Sequence, residues 1–457
     1  MPTFGGRTSS FKWATGLTSS KRRRYIAGMK WRNQLLALVC LLVFLALGVL
    51  YFKNWVVQKP FGIILFVGEG LDATRLAATR IYAADADTPL ALDSLSYSAL
   101  LKNASADSIA PDAAAAATAF ACGVKVKNGS LGMSAGGKAL VNLIELARKK
   151  GRMTGLVTDV QLTDATAAAF YAHSKSHDAE RLARQLVHHD GIDVVLGGGA
   201  AEFRPPNKGG TRSDGADLVV KLQDAGYEFI ETSDALEDVP RWRRAKLFGL
   251  FGSNELAYAD DDVARADQPG LAEMVRHSIE LLQFNRGGYL LIVDAGLMRK
   301  AAELNDADRT LLQTIELDRA VSVALEYAGV KSLVIVAGDV GVGGLTMSGF
   351  APRRASGGIW WGADPNQDGP WLTWATGPNG RRTSPTATAS ETPFPATPDD
   401  TDVSPEPGTI FEPAAAYSER ARETIADVVA LGSGPGAEAL HGIIESTRVF
   451  EIIDDKL

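Results

Sequence analysis

The sequence predicts an α/β protein whose mostly parallel central sheet carries helices on both faces and is preceded by one transmembrane helix. Three observations predict it. Apolar runs of strand length recur through residues 60–457, helical patterns separate them, and an 18-residue uncharged run stands ahead of them all. Strands that alternate with helices pair in parallel, because each helix returns the chain across a sheet face.

The uncharged run is Leu35 to Phe52, mostly Leu and Val. About 20 predominantly apolar residues cross a bilayer, and the run with Asn33 and Gln34 reaches that length. A small-x-small triplet, Ala46-Leu47-Gly48, raises the competing reading of a cleaved signal, but Val49 to Phe52 continue the apolar stretch beyond it. We read 34–55 as a membrane helix, with Trp31, Tyr51 and Trp55 in the interfacial belts. Eight bases precede the run, two follow, and residues 1–60 contain no Asp or Glu. The positive-inside rule then places the basic segment 1–33 in the cytoplasm and the body, 60–457, in the periplasm or outside the cell. The whole chain has a net charge of -7, but beyond residue 60 it holds 37 bases against 54 acids, a net of -17. A body that acidic argues against a nucleic-acid partner. The lipid bilayer is the expected one. Cys40 lies in the apolar run and Cys122 is the body's one cysteine, so the body has no internal disulfide.

The strand-length runs are Phe61–Val67, Gly155–Thr158, Ile192–Leu196, Tyr289–Val293 and Ser332–Val336. Most lack polar alternation, as strands buried on both faces do. Helical patterns run from about residue 138 to Lys150, before Gly151, and from about Ala307 to Tyr327, before Gly329. Residues 351–416 differ. They hold Trp360, Trp361, Trp371 and Trp374, then a Thr/Pro/Ser-rich passage through Pro407. We read an insertion, its tryptophans forming either an aromatic contact surface or a small local core, followed by a flexible loop.

In open α/β sheets the chemistry gathers outside the carboxyl ends of the strands. Those ends carry Glu69, Asp164 with Thr166, Asp294 and Asp339. All-oxygen ligand sets suit a hard cation such as Mg²⁺.

Six motifs in order now resemble the alkaline phosphatase family: Phe61–Gly70; Asp112-Ala113-Ala114-Ala115-Ala116-Ala117-Thr118-Ala119 with Gly123-Val124-Lys125 and Asn128-Gly129; Thr163-Asp164-Ala165-Thr166 with Phe170-Tyr171-Ala172-His173; Leu196-Gly197-Gly198-Gly199; Asn305-Asp306-Ala307; and Gly434-Pro435-Gly436-Ala437-Glu438. The resemblance implies phosphomonoester hydrolysis through a phosphoserine, with two zinc ions and a Mg²⁺ clamping the reacting oxygens. It also implies that this member is degenerate. The nucleophile position is Ala113, which has no attacking atom. The phosphate-gripping arginine position is His177, whose ring offers no planar fork. One zinc site aligns with Arg299, Glu303 and Glu423, the other with Glu69, Asp339 and Val340, and none of the six histidines falls at a zinc position. Zinc is therefore not expected. The Mg²⁺ positions, Glu69, Asp164, Thr166 and Asp294, keep oxygen ligands, so a residual Mg²⁺ site is expected there, with Asp339 beside it. At the emptied zinc position we expect Arg299 to pair with Glu303 and Glu423, since carboxylates buried without a counter-charge are costly. The resulting expectation is a membrane-anchored pseudoenzyme that binds or assembles with a membrane protein complex. The alternative is a phosphoric ester hydrolase with a rewired metal site. A homodimer is the family's common state.

Overall fold

The structure is a computed structural model. It describes residues 19–51, 61–83, 89–188, 191–241, 246–348, 360–361, 371–380 and 412–457, giving only the backbone at 19–30, 51, 360, 361 and 371. The side chains of the basic cluster at residues 21–24, Trp55 and the Thr/Pro/Ser-rich passage lie outside what is described. The chain divides into two compact units, Met1–Gln58 and Lys59–Leu457.

The first unit carries a 33-residue helix, Ser19–Tyr51. Its segment Trp31–Leu50 has a mean hydropathy of 2.5 and buries none of its surface in protein. Twenty residues at about 1.5 Å each reach roughly the 30 Å thickness of a bilayer core. By length and composition the helix can cross a membrane, a property a signal sequence shares.

The second unit is built on ten strands. In chain order these are β1 (Gly62–Gly68), β2 (Tyr97–Lys102), β3 (Met153–Gln161), β4 (Val194–Gly198), β5 (Glu228–Ile230), β6 (Leu247–Leu250), β7 (Tyr289–Ala295) and β8 (Leu333–Gly338). A small second sheet intervenes, made of β9 (Thr346–Ser348), β10 (Trp360–Trp361), β11 (Trp371–Gly377) and β12 (Ala414–Tyr417). Then β13 (Val428–Ser433) and β14 (His441–Glu445) rejoin the main sheet. The main order is β14-β2-β13-β8-β1-β7-β3-β4-β6-β5. Among the described residues of this sheet only β13 runs antiparallel, against both β2 and β8.

The sheet is buried on both faces where it matters for the site. Along β1, Ile63, Leu65 and Val67 enter one core while Ile64 and Phe66 enter the other. Along β7, Leu290 and Ile292 take the first side and Tyr289, Leu291 and Val293 the second. Successive side chains alternate across a strand, so a strand covered on both sides must be apolar throughout. Helices Ala113–Cys122, Leu143–Lys149 and Arg448–Lys456 help cover the first face, and Leu271–Leu282 and Ala307–Tyr327 the second. A third, smaller cluster joins Ala78, Leu311, Leu345, Leu372, Trp374 and Ala414. Trp374, 2% exposed, thus belongs to a local core; the other three tryptophan side chains lie outside what is described.

The helix beginning at Ala113 starts at a designed stop in the backbone. The Asp112 carboxylate accepts from the Ala115 amide at 2.8 Å and from the Gly129 amide at 2.5 Å. At the other end Gly123, with φ 68°, closes the helix in the left-handed region that glycine tolerates. Asp112→Ala is therefore expected to cost about 1–2 kcal/mol of stability, read as a lower denaturant midpoint with an unchanged slope.

Candidate functional site

Strand register brings the candidate residues together. Val67 of β1 lies opposite Asp294 of β7 and Ala337 of β8, and Gly68 lies opposite Ala295 and Gly338. Glu69 and Asp339 therefore leave the sheet side by side. The Gly70 amide donates to Asp339 Oδ1 at 2.9 Å, and the Val340 amide donates to the same oxygen at 2.6 Å. On the other side of β7, Thr158 of β3 is opposite Asp294, and its hydroxyl donates to Asp294 Oδ2 at 2.9 Å. The turn after β3 supplies Asp164 and Thr166. All five predicted oxygen ligands are buried.

The cation among them is Arg299. Gly296 turns the chain out of β7 into helix Leu297–Glu303, and Asp159 holds this start by accepting from the Gly296 and Leu297 amides at 2.7 and 3.0 Å. Four residues along a helix return to the same face, so Arg299 and Glu303 meet, with Nη1 to Oε1 at 2.6 Å. The same guanidinium donates from Nη2 to Asp164 Oδ1 at 2.9 Å and from Nε to Glu69 Oε2. One planar fork thus serves three carboxylates.

The predicted pairing with Glu423 needs correction. Glu423 is exposed, its backbone bridged to Val342, and it is not among the ion-pair partners of Arg299. That bridge sets the register of the segment, and Arg420 is the residue that reaches the site, donating to Glu303 Oε2 at 2.9 Å. Lys300, not singled out from the sequence, reaches Asp164 Oδ2 at 2.8 Å. Glu69, Asp164 and Glu303 therefore face Arg299, Lys300 and Arg420.

The remaining acids, Asp159, Asp294 and Asp339, make no such contact, and burial disfavours their ionised forms. Burial pushes Asp159 and Asp339 up to about 7, with the charge of Glu69 adding to the effect. Burial, then Glu69, Asp159 and Asp164, raise Asp294 well above the carboxylate range. Burial would raise Asp164 as well, but Arg299 and Lys300 together bring it down to about 2. Arg299 itself is raised: burial opposes its charge, and Glu69, Asp164 and Glu303 outweigh that.

Arg75, also not foreseen, is wholly buried beneath this cluster and donates from Nη1 to the Glu69 carbonyl at 2.8 Å. Gly70, at φ 81°, makes room for it: a Cβ there would stand 2.5 Å from Nη1. Ala113, at the predicted nucleophile position, is the first residue of its helix and is buried. His177 is exposed, and its Nε2 donates to the Thr163 carbonyl at 2.7 Å. Val340 is fully buried.

The donor set fits a hard cation in chemistry. Glu69 Oε1, Thr166 Oγ1, Asp294 Oδ1 and Asp339 Oδ2 are buried oxygens with no hydrogen-bond partner. The acids among them are not gathered, however. Among the described residues the one trio of acids and histidines with ligand atoms within 4.8 Å of one another is Glu237, Glu273 and His277. In that trio Glu237 already accepts from Arg276 and His277, each at 2.8 Å, and pairs with Arg241.

Comparison with known proteins agrees with this architecture. The family description "Alkaline phosphatase" matches residues 62–457. The chain is 31% identical over 339 residues to the tissue-nonspecific alkaline phosphatase of Gallus gallus, covering 64% of this chain and 65% of that protein. It thus spans 65%, less than two thirds, of the length of that relative. The structure of alkaline phosphatase from the Antarctic bacterium TAB5 superposes with a TM-score of 0.67 at 20% identity, covering 87% of this chain and 98% of that one. A variant of the TAB5 enzyme, with a TM-score of 0.65 and the same coverage, is described with Mg bound in its M3 site.

The raised acids predict a pH dependence. A group whose pKa is higher folded than unfolded stabilises fully below its unfolded pKa and loses that contribution as pH rises through the folded one. For Asp159 and Asp339 the window runs from about 3.8 to about 7. In chelator, the melting temperature should fall across that window, and Asp339→Asn should flatten the fall. With fold, strand-end acids and family match in agreement, the chain belongs to the alkaline phosphatase family.

Proposed function

We propose that this chain is a membrane-anchored family member that has lost phosphomonoester hydrolysis and acts in binding or assembly of a membrane protein complex. The observation that carries the reading is the Arg299 guanidinium, seated between Glu69, Asp164 and Glu303 where the resemblance implies zinc. With Lys300 and Arg420, this guanidinium balances those carboxylates and, while in place, offers no open position to a phosphate oxygen or a water. Ala113 and His177 support the reading, since neither the covalent route nor the bidentate phosphate grip is available to them. The apolar helix Trp31–Leu50 and the basic residues before it support an N-terminus in the cytoplasm and a body in the periplasm or outside the cell.

A second reading, phosphoric ester hydrolysis at a rewired metal site, is favoured by the four unpartnered buried oxygens. Glu69, Asp164, Thr166, Asp294 and Asp339 would hold Mg²⁺, which when bound would polarise a phosphoryl oxygen or acidify a water. Beside it Lys300 would hold Asp164 ionised, and Thr158 would orient Asp294.

An aryl phosphate assay of the purified chain with Mg²⁺, Mn²⁺ or Zn²⁺ separates the two. The first reading predicts no turnover above buffer, unchanged by Ala113→Ser alone, because the arginine and zinc positions remain altered. Turnover that disappears in Asp164→Ala would establish the second. Loss of a nucleophile by itself lowers kcat by about a millionfold, so a measurable rate would require a different mechanism.

A further inference from the structure

We propose that Arg299 is a tethered competitor for a divalent cation: its guanidinium holds the acidic cluster closed, and a cation enters only when that side chain withdraws. The inference concerns occupancy of the site and stands whether or not the chain hydrolyses esters.

The carboxylate oxygens of the cluster are shared out unevenly. Arg299 takes one oxygen each from Glu69, Asp164 and Glu303. The second oxygen of Glu69 stays buried without a partner, as do Thr166 Oγ1, Asp294 Oδ1 and Asp339 Oδ2. Leaving a buried polar oxygen unpaired costs about 1–3 kcal/mol, and four such atoms lie at, or just beyond, the ends of neighbouring strands. They are the groups a hard cation would satisfy together. With the guanidinium in place the acids do not converge: no three of them bring an oxygen each within 4.8 Å of one another among the described residues. A guanidinium is planar and spreads its partners around an edge, whereas a metal ion draws them onto one point.

Arg299 is not fully enclosed. Its side chain is 12% exposed, and Glu303, at the outer end of the fork, is 12% exposed and held by Arg420, whose side chain is 68% exposed. Lys300 remains on Asp164 when Arg299 swings out, so that carboxylate keeps one cation throughout.

A competitor that blocks a site lowers the apparent affinity by the fraction of time the site is open. If the site is open about a tenth of the time, removing the competitor tightens binding about tenfold. The test is isothermal titration of the full chain in detergent with MnCl2 and with MgCl2, alongside thermal melts at each metal concentration. Arg299→Met should melt below wild type in chelator, bind Mn²⁺ at least about tenfold more tightly, and recover stability as metal is added. Adding Asp294→Asn to Arg299→Met should abolish that gain. Should Arg299→Met fail to fold, Arg299→Lys serves: its single-point ammonium grips fewer carboxylates, and Mn²⁺ should bind several-fold more tightly than to wild type. Affinity in both variants equal to or weaker than wild type would overturn the proposal, as would a gain that survives Asp294→Asn. The ester-hydrolysis assay is separate, so turnover or its absence leaves these outcomes distinguishable.

Discussion

Everything at the open end of the sheet follows from one constraint: six carboxyl groups are packed into a dry region around four adjacent strand ends. Ionised and unpaired, they could not coexist there, since each buried charge without a partner costs several kcal/mol. The chain meets the constraint in two ways. Glu69, Asp164 and Glu303 are paired with the cations of Arg299, Lys300 and Arg420. Asp159, Asp294 and Asp339 are held by hydrogen bonds, and burial raises all three above the usual carboxylate range. Arg299 is the piece on which both halves turn, because it binds Glu69, and the charge of Glu69 raises all three of those acids.

The fold makes that crowding unavoidable. β1 lies between β7 and β8 in the parallel core of the sheet, so Glu69, Asp294 and Asp339 must emerge together whatever their chemistry. In the family, the resemblance implies, metal ions answer the same crowding. Here a side chain grown from the next helix answers much of it. A tethered cation needs no uptake from solution and, while in place, presents no labile position.

Much of this was legible in the sequence. β1, β7 and β8 read clearly because strands buried on both faces are unbroken apolar runs, and the acids stand directly at their ends. β2 and β14 did not, because each has a partly exposed face and reads as mixed composition; Ile443 in β14 is 64% exposed. Arg299 meeting Glu303 follows from helical spacing, but Glu423 does not join them, since the bridge to Val342 brings Arg420 to the site instead. Lys300 and Arg75 sit in helices where a basic residue ordinarily marks the solvent face. Their roles depend on tertiary neighbours, Asp164 in one case and the glycine at position 70 in the other, which no local pattern encodes.

The account rests on mutual compensation between Arg299 and Glu69, and a double-mutant cycle measures it most directly. Wild type, Arg299→Met, Glu69→Gln and the double variant would be unfolded by denaturant in chelator. Removing either partner alone should cost about 3–5 kcal/mol, and the double variant should lose far less than the two losses combined, a coupling on the order of 2–3 kcal/mol. Additive losses, with coupling near zero, would show that the guanidinium does not hold the carboxylate cluster together and would contradict the account.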